Sequence, residues 1–377
     1  MNVAEQIVAQ LVDAGVHRIY GIVGDSLNPI VDAVRKTGGS RKGGIDWIHV
    51  RHEEAAAFAA SAEAQLTGKL AVCAGSCGPG NLHLINGLYD ANRTGAPVLA
   101  IASHIPSVQI GSTYFQETHP DRVFEECSVY NELISSAAQS PRTVNSAIRH
   151  AVGLGGVAVI TLPGDITDLK AVEHVPTYAP ARPATLAPNP ADIDEAAALL
   201  NKADKVAIFA GAGVEGAHDE VIALADALKA PIGHSLRGKH FIQYDNPFDV
   251  GMTGLLGYGA AAEGMNDADV LILLGTDFPY DQFLPNTPTI QVDTHAEKLG
   301  RRTDVGLAIH AQVKPFIEAL LPHLRAGRSD SFLKAKIKKH SEIMHAPVGA
   351  YTRNVEKMRP IHPEYAAHLL NETAAKD

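Results

Sequence analysis

LAVCAGSCGPGN, residues 70–81, is the stretch on which the fold turns. Its unbroken apolar start reads as a short strand buried on both faces, ending near residue 74. Gly75 to Gly80 then reads as a tight loop, and Asn81 as the start of a helix. Such a loop brings backbone N–H groups close to a ligand. The same glycines equally suit a plain packed turn. The loop lacks the Gly-Lys-Ser/Thr ending of a phosphate-cradling P-loop, which argues against nucleoside triphosphates.

Working outward, strands and helices alternate. Residues 17–23 read as a strand stopped by Gly24, Asp25 and Ser26, and Pro29 opens a helix. A strand at 45–50 runs into RHEEAAAFAA, residues 51–60, the opening of an alanine-rich helix at 53–66. Further short strands fall at 98–103 and 157–162. This alternation predicts a parallel sheet covered on both faces. Glu53 and Glu54 stand at the strand-to-helix junction. Acids there stabilise a helix N-terminus; a carboxyl beside so small a floor also has room to exchange a proton with a flat ring.

Pro176, Pro180, Pro183, Pro188 and Pro190 crowd residues 173–190, which predicts an extended linker. A second α/β unit follows: a helix at 192–200, strands at 205–210, 270–274 and 289–292, and a closing helix at 316–324. KVAIFAGAGVEG, residues 205–216, carries the Gly211, Gly213, Gly216 spacing of a dinucleotide fingerprint. The acid expected about 20 residues on is missing, so ordinary NAD-type ribose recognition is disfavoured. The fold class is therefore α/β, with two Rossmann-like parallel-sheet domains.

Residues 325–360 are polar and basic without a firm apolar period, and read as a surface connection. Lys334, Lys336, Lys338 and Lys339 read as a solvated helix face there. A new helix starts near Ile361. The net charge of −10 gives no global field for nucleic acid. Cys73, Cys77 and Cys127 make no disulfide framework or structural zinc site, and the 18 histidines include no helical pair beside a carboxylate, so no protein metal ligands are expected. The N-terminus has no signal-peptide pattern, and no apolar run is long enough for a membrane span. These features predict a cytoplasmic protein.

Taken together, RHEEAAAFAA, LAVCAGSCGPGNLHLING (70–87), GSTYFQETHP (111–120), Leu236-Arg237-Gly238-Lys239 and the run Asp249 to Gly254 resemble the thiamine-diphosphate-dependent enzymes of the pyruvate oxidase and acetolactate synthase superfamily. The likeness is stronger to the pyruvate-oxidising branch and covers nearly the whole chain.

The resemblance implies a pyrimidine-binding domain at 1–172, a linker at 173–190, a central FAD-type domain at 191–325, and at 326–377 a connection with the first helix of a diphosphate-binding domain that the chain otherwise lacks. It makes Glu53 the glutamate that hydrogen-bonds N1′ of the aminopyrimidine and so promotes loss of the thiazolium C2 proton. Glu54 keeps the helix-end role. Gly24, Asp25, Ser26, Gly78, Pro79, Gly80 and Asn81 would line the pyrimidine side, with Phe115 and Gln116 beside the thiazolium and flavin. Gly251, Met252, Thr253, Gly254, Gly275, Thr276, Asp277, Phe278 and Asp293 would hold FAD. Ile309-His310-Ala311 departs from the family, which has glycine and aspartate there. Mg²⁺ ligands would lie in the lacking domain. The implied activity is oxidative decarboxylation of pyruvate to acetate and CO₂ with electrons passed to a quinone, in a homo-oligomer that is peripheral at the inner membrane face when complete, the chain by itself being inactive. The alternatives are an acetolactate-synthase-like enzyme and a non-catalytic truncated cofactor-binding module.

Overall fold

The structure is a computed structural model that describes residues 1–173, 184–345 and 349–375. The chain divides into two units, Met1–Arg182 and Pro183–Asp377.

In the first unit the strands are β1 (Arg18–Gly21), β2 (Asp46–His49), β3 (Ala71–Gly75), β4 (Val98–His104), β5 (Tyr130–Leu133) and β6 (Val157–Pro163). The helices are α1 (Val3–Asp13), α2 (Asn28–Lys36), α3 (Glu53–Thr67), α4 (Pro79–Leu82), α5 (Ile85–Thr94), α6 (Pro120–Val123), α7 (Ser140–Leu154) and α8 (Gly164–Thr167). Asn2 and Glu5 cap α1 reciprocally, each side chain accepting the other's backbone N–H at 2.9 and 3.1 Å. All six strands are parallel, in the order β2-β1-β3-β4-β6-β5. Successive residues of a strand face opposite ways, and the two faces differ in size. Val72, Leu99, Ile101 and Ile160 pack with Ile7, Leu11, Ile30 and Ile148. Ala71, Cys73, Ala100 and Ala102 pack instead with Ala56, Ala57, Ala60 and Ala64 of α3. This explains the alanine run: a small-residue helix lies close on a small-residue sheet face. Gly87 of α5 extends the effect, since a Cβ there would stand 2.5 Å from that of Ala57.

The second unit contains β7 (Val206–Ala210), β8 (Ile232–His234), β9 (Asp249–Met252), β10 (Tyr258–Gly259), β11 (Val270–Leu274), β12 (Thr289–Asp293) and β13 (Leu307–His310). Its helices are α9 (Pro190–Lys202), α10 (His218–Leu228), α11 (Leu236–Ile242), α12 (Ala261–Asn266), α13 (Val313–Leu320), α14 (Ser331–Ile343), α15 (Gly349–Thr352) and α16 (Pro363–Thr373). The strand order is β10-β9-β8-β7-β11-β12-β13, parallel except for the antiparallel β9–β10 edge. Two separate, mainly parallel sheets match the α/β expectation.

Three expectations need correction or restriction. Most of the proline-rich linker, 174–183, lies outside the described residues. Pro190 is not linker: it sits in the first turn of α9, where its missing N–H is not needed, behind the N-cap Asn189. The stretch read as a surface connection contains α14, which packs Leu333 into the second unit's core. Lys336 is only 5% exposed rather than solvated. Its ammonium lies 2.7 Å from Glu263 and also pairs with Asp267, both on or beside α12.

Candidate active site

In each sheet the strand order reverses near the middle, and open α/β sheets bind ligands beyond the C-terminal strand ends at such a point. In the first unit it lies between β1 and β3. The chain leaving β1 gives Gly24, Asp25 and Ser26; the chain leaving β3 gives Ser76 through Asn81. They are laced together. The Ser26 and Ser76 hydroxyls are 2.9 Å apart, and Ser26 Oγ accepts the Cys77 N–H at 3.0 Å. Ser103, near the end of β4, donates its hydroxyl to Ser26 O at 2.7 Å.

Glu53 begins α3 directly after β2, with its side chain 11% exposed. One carboxylate oxygen, Oε2, lies 3.1 Å from Nδ1 of His83. The other, Oε1, faces Gly80, where a Cβ would come within 3.3 Å of it. Gly78 has φ 71° and ψ −128°, a conformation suited to glycine, and a Cβ there would stand 2.7 Å from Gln116 Cβ. The glycines therefore let Gln116 and the buried Glu53 carboxyl come close against this turn. Gln116 itself has φ 64°, and its Oε1 accepts from the Cys77 thiol at 3.4 Å. Glu117 closes the loop by accepting the N–H groups of Gly111 and Tyr114 at 2.5 and 3.0 Å. These backbone donors hold its carboxyl below the ordinary range.

The fold thus brings Glu53, Gly78, Gly80, Ser26 and Gln116 together at these strand ends. Other expected residues stand differently. Asp25 and Pro79 are exposed. Asn81 is fully buried and spends its amide on Ser103 O at 2.7 Å, bracing β4. Phe115 is 79% exposed. His83 and His52 were missed in the sequence. Their rings stack with centroids 4.4 Å apart, and one ligand atom from each of His52, Glu53 and His83 lies within 4.8 Å of the other two. A spacing of 30 residues leaves no local signal for this. Cys73, in the sheet beneath, is inert: burial pushes its thiol up to about 12.

In the second unit the strand order reverses between β7 and β11. Gly211 and Gly213 donate their N–H groups to Leu274 O and Gly275 O, both at 2.9 Å. A Cβ on Gly213 would stand 2.6 Å from Gly275 Cα. The glycine fingerprint therefore serves strand-to-strand packing, and α10 begins only after Ala217. The Phe278 ring lies beside Gly254, packs edge-on to Phe209 and Tyr280, and is buried. Thr276 O accepts from Gln291 at 3.2 Å. Asp277 pairs with Arg301 and Arg302, two cations the sequence reading passed over. Asp293, at the end of β12, is 6% exposed and accepts the His295 N–H at 2.9 Å. Gly251 turns against Tyr258, while Met252 and Thr253 are buried beside it.

Residues 1–123 match the family model described as thiamine pyrophosphate enzyme, N-terminal TPP binding domain, and residues 193–320 match the thiamine pyrophosphate enzyme central domain. The chain belongs to the thiamine-diphosphate-dependent enzyme superfamily. Among members and relatives, it is 54% identical over 337 residues to an uncharacterized 42.6 kDa protein of Pseudomonas amyloderamosa, covering 89% of this chain and 84% of that one. It is 36% identical to YdaP of Bacillus subtilis over 378 residues, 99% of this chain and 64% of YdaP. Identity to the pyruvate oxidase of Lactiplantibacillus plantarum is 32% over 335 residues, 86% of this chain and 54% of that enzyme. Acetolactate synthase large subunits match at comparable identity. The chain thus spans little more than half the length of the pyruvate oxidase. Among the described residues, no helix is long and apolar enough to cross a membrane.

The donor chemistry at the first-unit strand ends is of the kind that the aminopyrimidine of the superfamily's cofactor would use. A flat, nitrogen-bearing ring needs a carboxyl at its edge and no side chains over its face. Glu53 offers the first, and Gly80 sets no side chain against its Oε1.

Proposed function

We propose that this chain supplies the pyrimidine-binding and central domains of an enzyme that oxidatively decarboxylates pyruvate to acetate and CO₂. The reading includes thiamine diphosphate, FAD and Mg²⁺ as cofactors, a quinone as electron acceptor and a homo-oligomeric assembly. The observation that carries it is the buried Glu53 carboxyl at the start of α3, its Oε1 set against Gly80. Thiamine diphosphate, when bound, supplies the carbon nucleophile and electron sink that decarboxylation of a 2-oxo acid requires. Glu53 would hold a proton against the ring nitrogen N1′. Ser26, Gly78 and Gly80 would fix the ring's approach, and Gln116 would border its far side. Mg²⁺ and the diphosphate are assigned to no residue of this chain.

FAD is assigned to the second unit, with Gly251 to Gly254, Gly275 to Phe278 and Asp293 as its contacts. The overlap with the named pyruvate oxidase supports this branch. The comparable identity of acetolactate synthases favours a second reading, carboligation of the same 2-oxo acid without net oxidation.

Calorimetric titration of FAD and of thiamine diphosphate with Mg²⁺ tests the assignment. FAD should bind this chain more tightly. Thiamine diphosphate binding with no FAD binding would refute the second unit's role. With the full-length assembly, acetate formed from pyruvate separates the oxidising reading from acetolactate formation.

A further inference from the structure

We propose that His52, Glu53 and His83 form a binding site for one divalent transition-metal ion of the zinc class. The inference rests on the geometry of these side chains and goes beyond the cofactor reading. Each residue places a ligand atom within 4.8 Å of the other two. Two imidazoles and one carboxylate are a donor set that zinc accepts when it keeps a fourth position open. Calcium and magnesium prefer all-oxygen sites, so they are disfavoured here.

The cluster combines a fixed base with adjustable arms. Glu53 is buried and held by the first turn of α3. His52 and His83 are about half exposed, so their rings can rotate by the small amount needed to close on an ion. Nδ1 of His83 already lies 3.1 Å from the carboxylate. Nδ1 of His52 accepts the Glu54 N–H at 3.2 Å, a long bond that a metal–nitrogen bond can replace. The positive end of α3 opposes a cation, but Glu53 and Glu54 place two negative charges in that first turn. Metal and aminopyrimidine would both need the Glu53 carboxylate, so they would exclude one another. The chain would then carry an inhibitory metal site at its proton-transfer group.

The test is a cobalt(II) titration of the untagged chain followed by its visible d–d absorption, with zinc as competitor. One tight equivalent is expected, above a weak background from the other histidines. Glu53→Gln, His52→Asn and His83→Asn should each weaken it by at least the ~10–100-fold that even a ligand-orienting group is worth. His295→Ala, in the second unit, should leave it unchanged. Absence of the tight equivalent, or its persistence in all three site variants, overturns the proposal. Thiamine diphosphate with Mg²⁺ is then added. Cobalt held by the three groups and lost as the cofactor binds supports the site and its exclusion of the aminopyrimidine, whereas cofactor bound beside undiminished cobalt absorption overturns that exclusion. Thiamine diphosphate binding without the cobalt site overturns the metal inference alone.

Discussion

Each unit places a glycine-rich turn beside the point where its strand order reverses, and the two turns are packed differently. Beyond β3, side chains close on the glycines, Gln116 against Gly78 and both Glu53 and Ser76 against Gly80. Beyond β7, Gly211 and Gly213 let the chain leaving β11 come into backbone contact, and their amides are spent on Leu274 and Gly275. Glycine spacing after a strand therefore signals close approach. What approaches is decided by residues elsewhere: a buried acid in one unit, a second glycine in the other.

Four experiments sharpen or break this contrast. Glu53→Gln should have the largest effect, since removing a general acid–base group typically costs ~10²–10⁴-fold. Exchange of the thiazolium C2 proton, measured by quenched-flow NMR in the full-length assembly, should slow to that degree while the melting temperature stays near the parent's. Equal exchange rates would make the first turn as purely structural as the second. Gly275→Ala should instead cost stability, roughly 3 kcal/mol, because φ is 56° and Gly213 backbone fills the space. Urea unfolding of the second unit reads this.

Acid should act on both units alike. His104 at the end of β4 and His234 at the end of β8 are buried, and burial holds both below the ordinary histidine pKa. For His234 this outweighs Asp249, 3.5 Å away. The unfolded chain therefore takes up protons that the folded chain refuses. Stability is complete above about pH 6.5 and falls as pH drops through that value, by at most ~1.4 kcal/mol per pH unit per histidine. Thermal melts across pH should show this slope, and His234→Gln should flatten only the second unit's share. The smallest effect is expected of Glu54→Gln, a helix-end contribution of ~0.3–1 kcal/mol read by thermal melting, with C2 exchange unaltered.

The strands that were legible in sequence, such as β3, β4, β6, β7 and β11, are continuous apolar runs buried on both faces. Those that escaped are short or polar. β5 is Tyr-Asn-Glu-Leu at a sheet edge, and β8 has three residues. The packing of α14 escaped because one of its buried positions is Lys336, whose partners lie 69 and 73 residues earlier. No local hydrophobic period records that pairing. At the candidate site, Glu53 and the Gly78–Gly80 turn could be singled out from their neighbours in sequence. His83 could not, because an exposed histidine in a loop acquires its meaning only when α4 brings it over α3. The second glycine run was read as a possible dinucleotide turn because spacing alone does not reveal that another strand's backbone fills the space.

The contact between Gly213 and Gly275 also constrains how this sequence can vary. Each glycine occupies the volume that a Cβ on the other would need, so the two positions behave as a single heritable character spread over two codons. Once either has gained a methyl group and the strands have parted, the second substitution meets a gap already opened. The double alanine variant should therefore cost less than the sum of its single changes, a sign-definite epistasis between sites 62 residues apart in the chain (275 − 213).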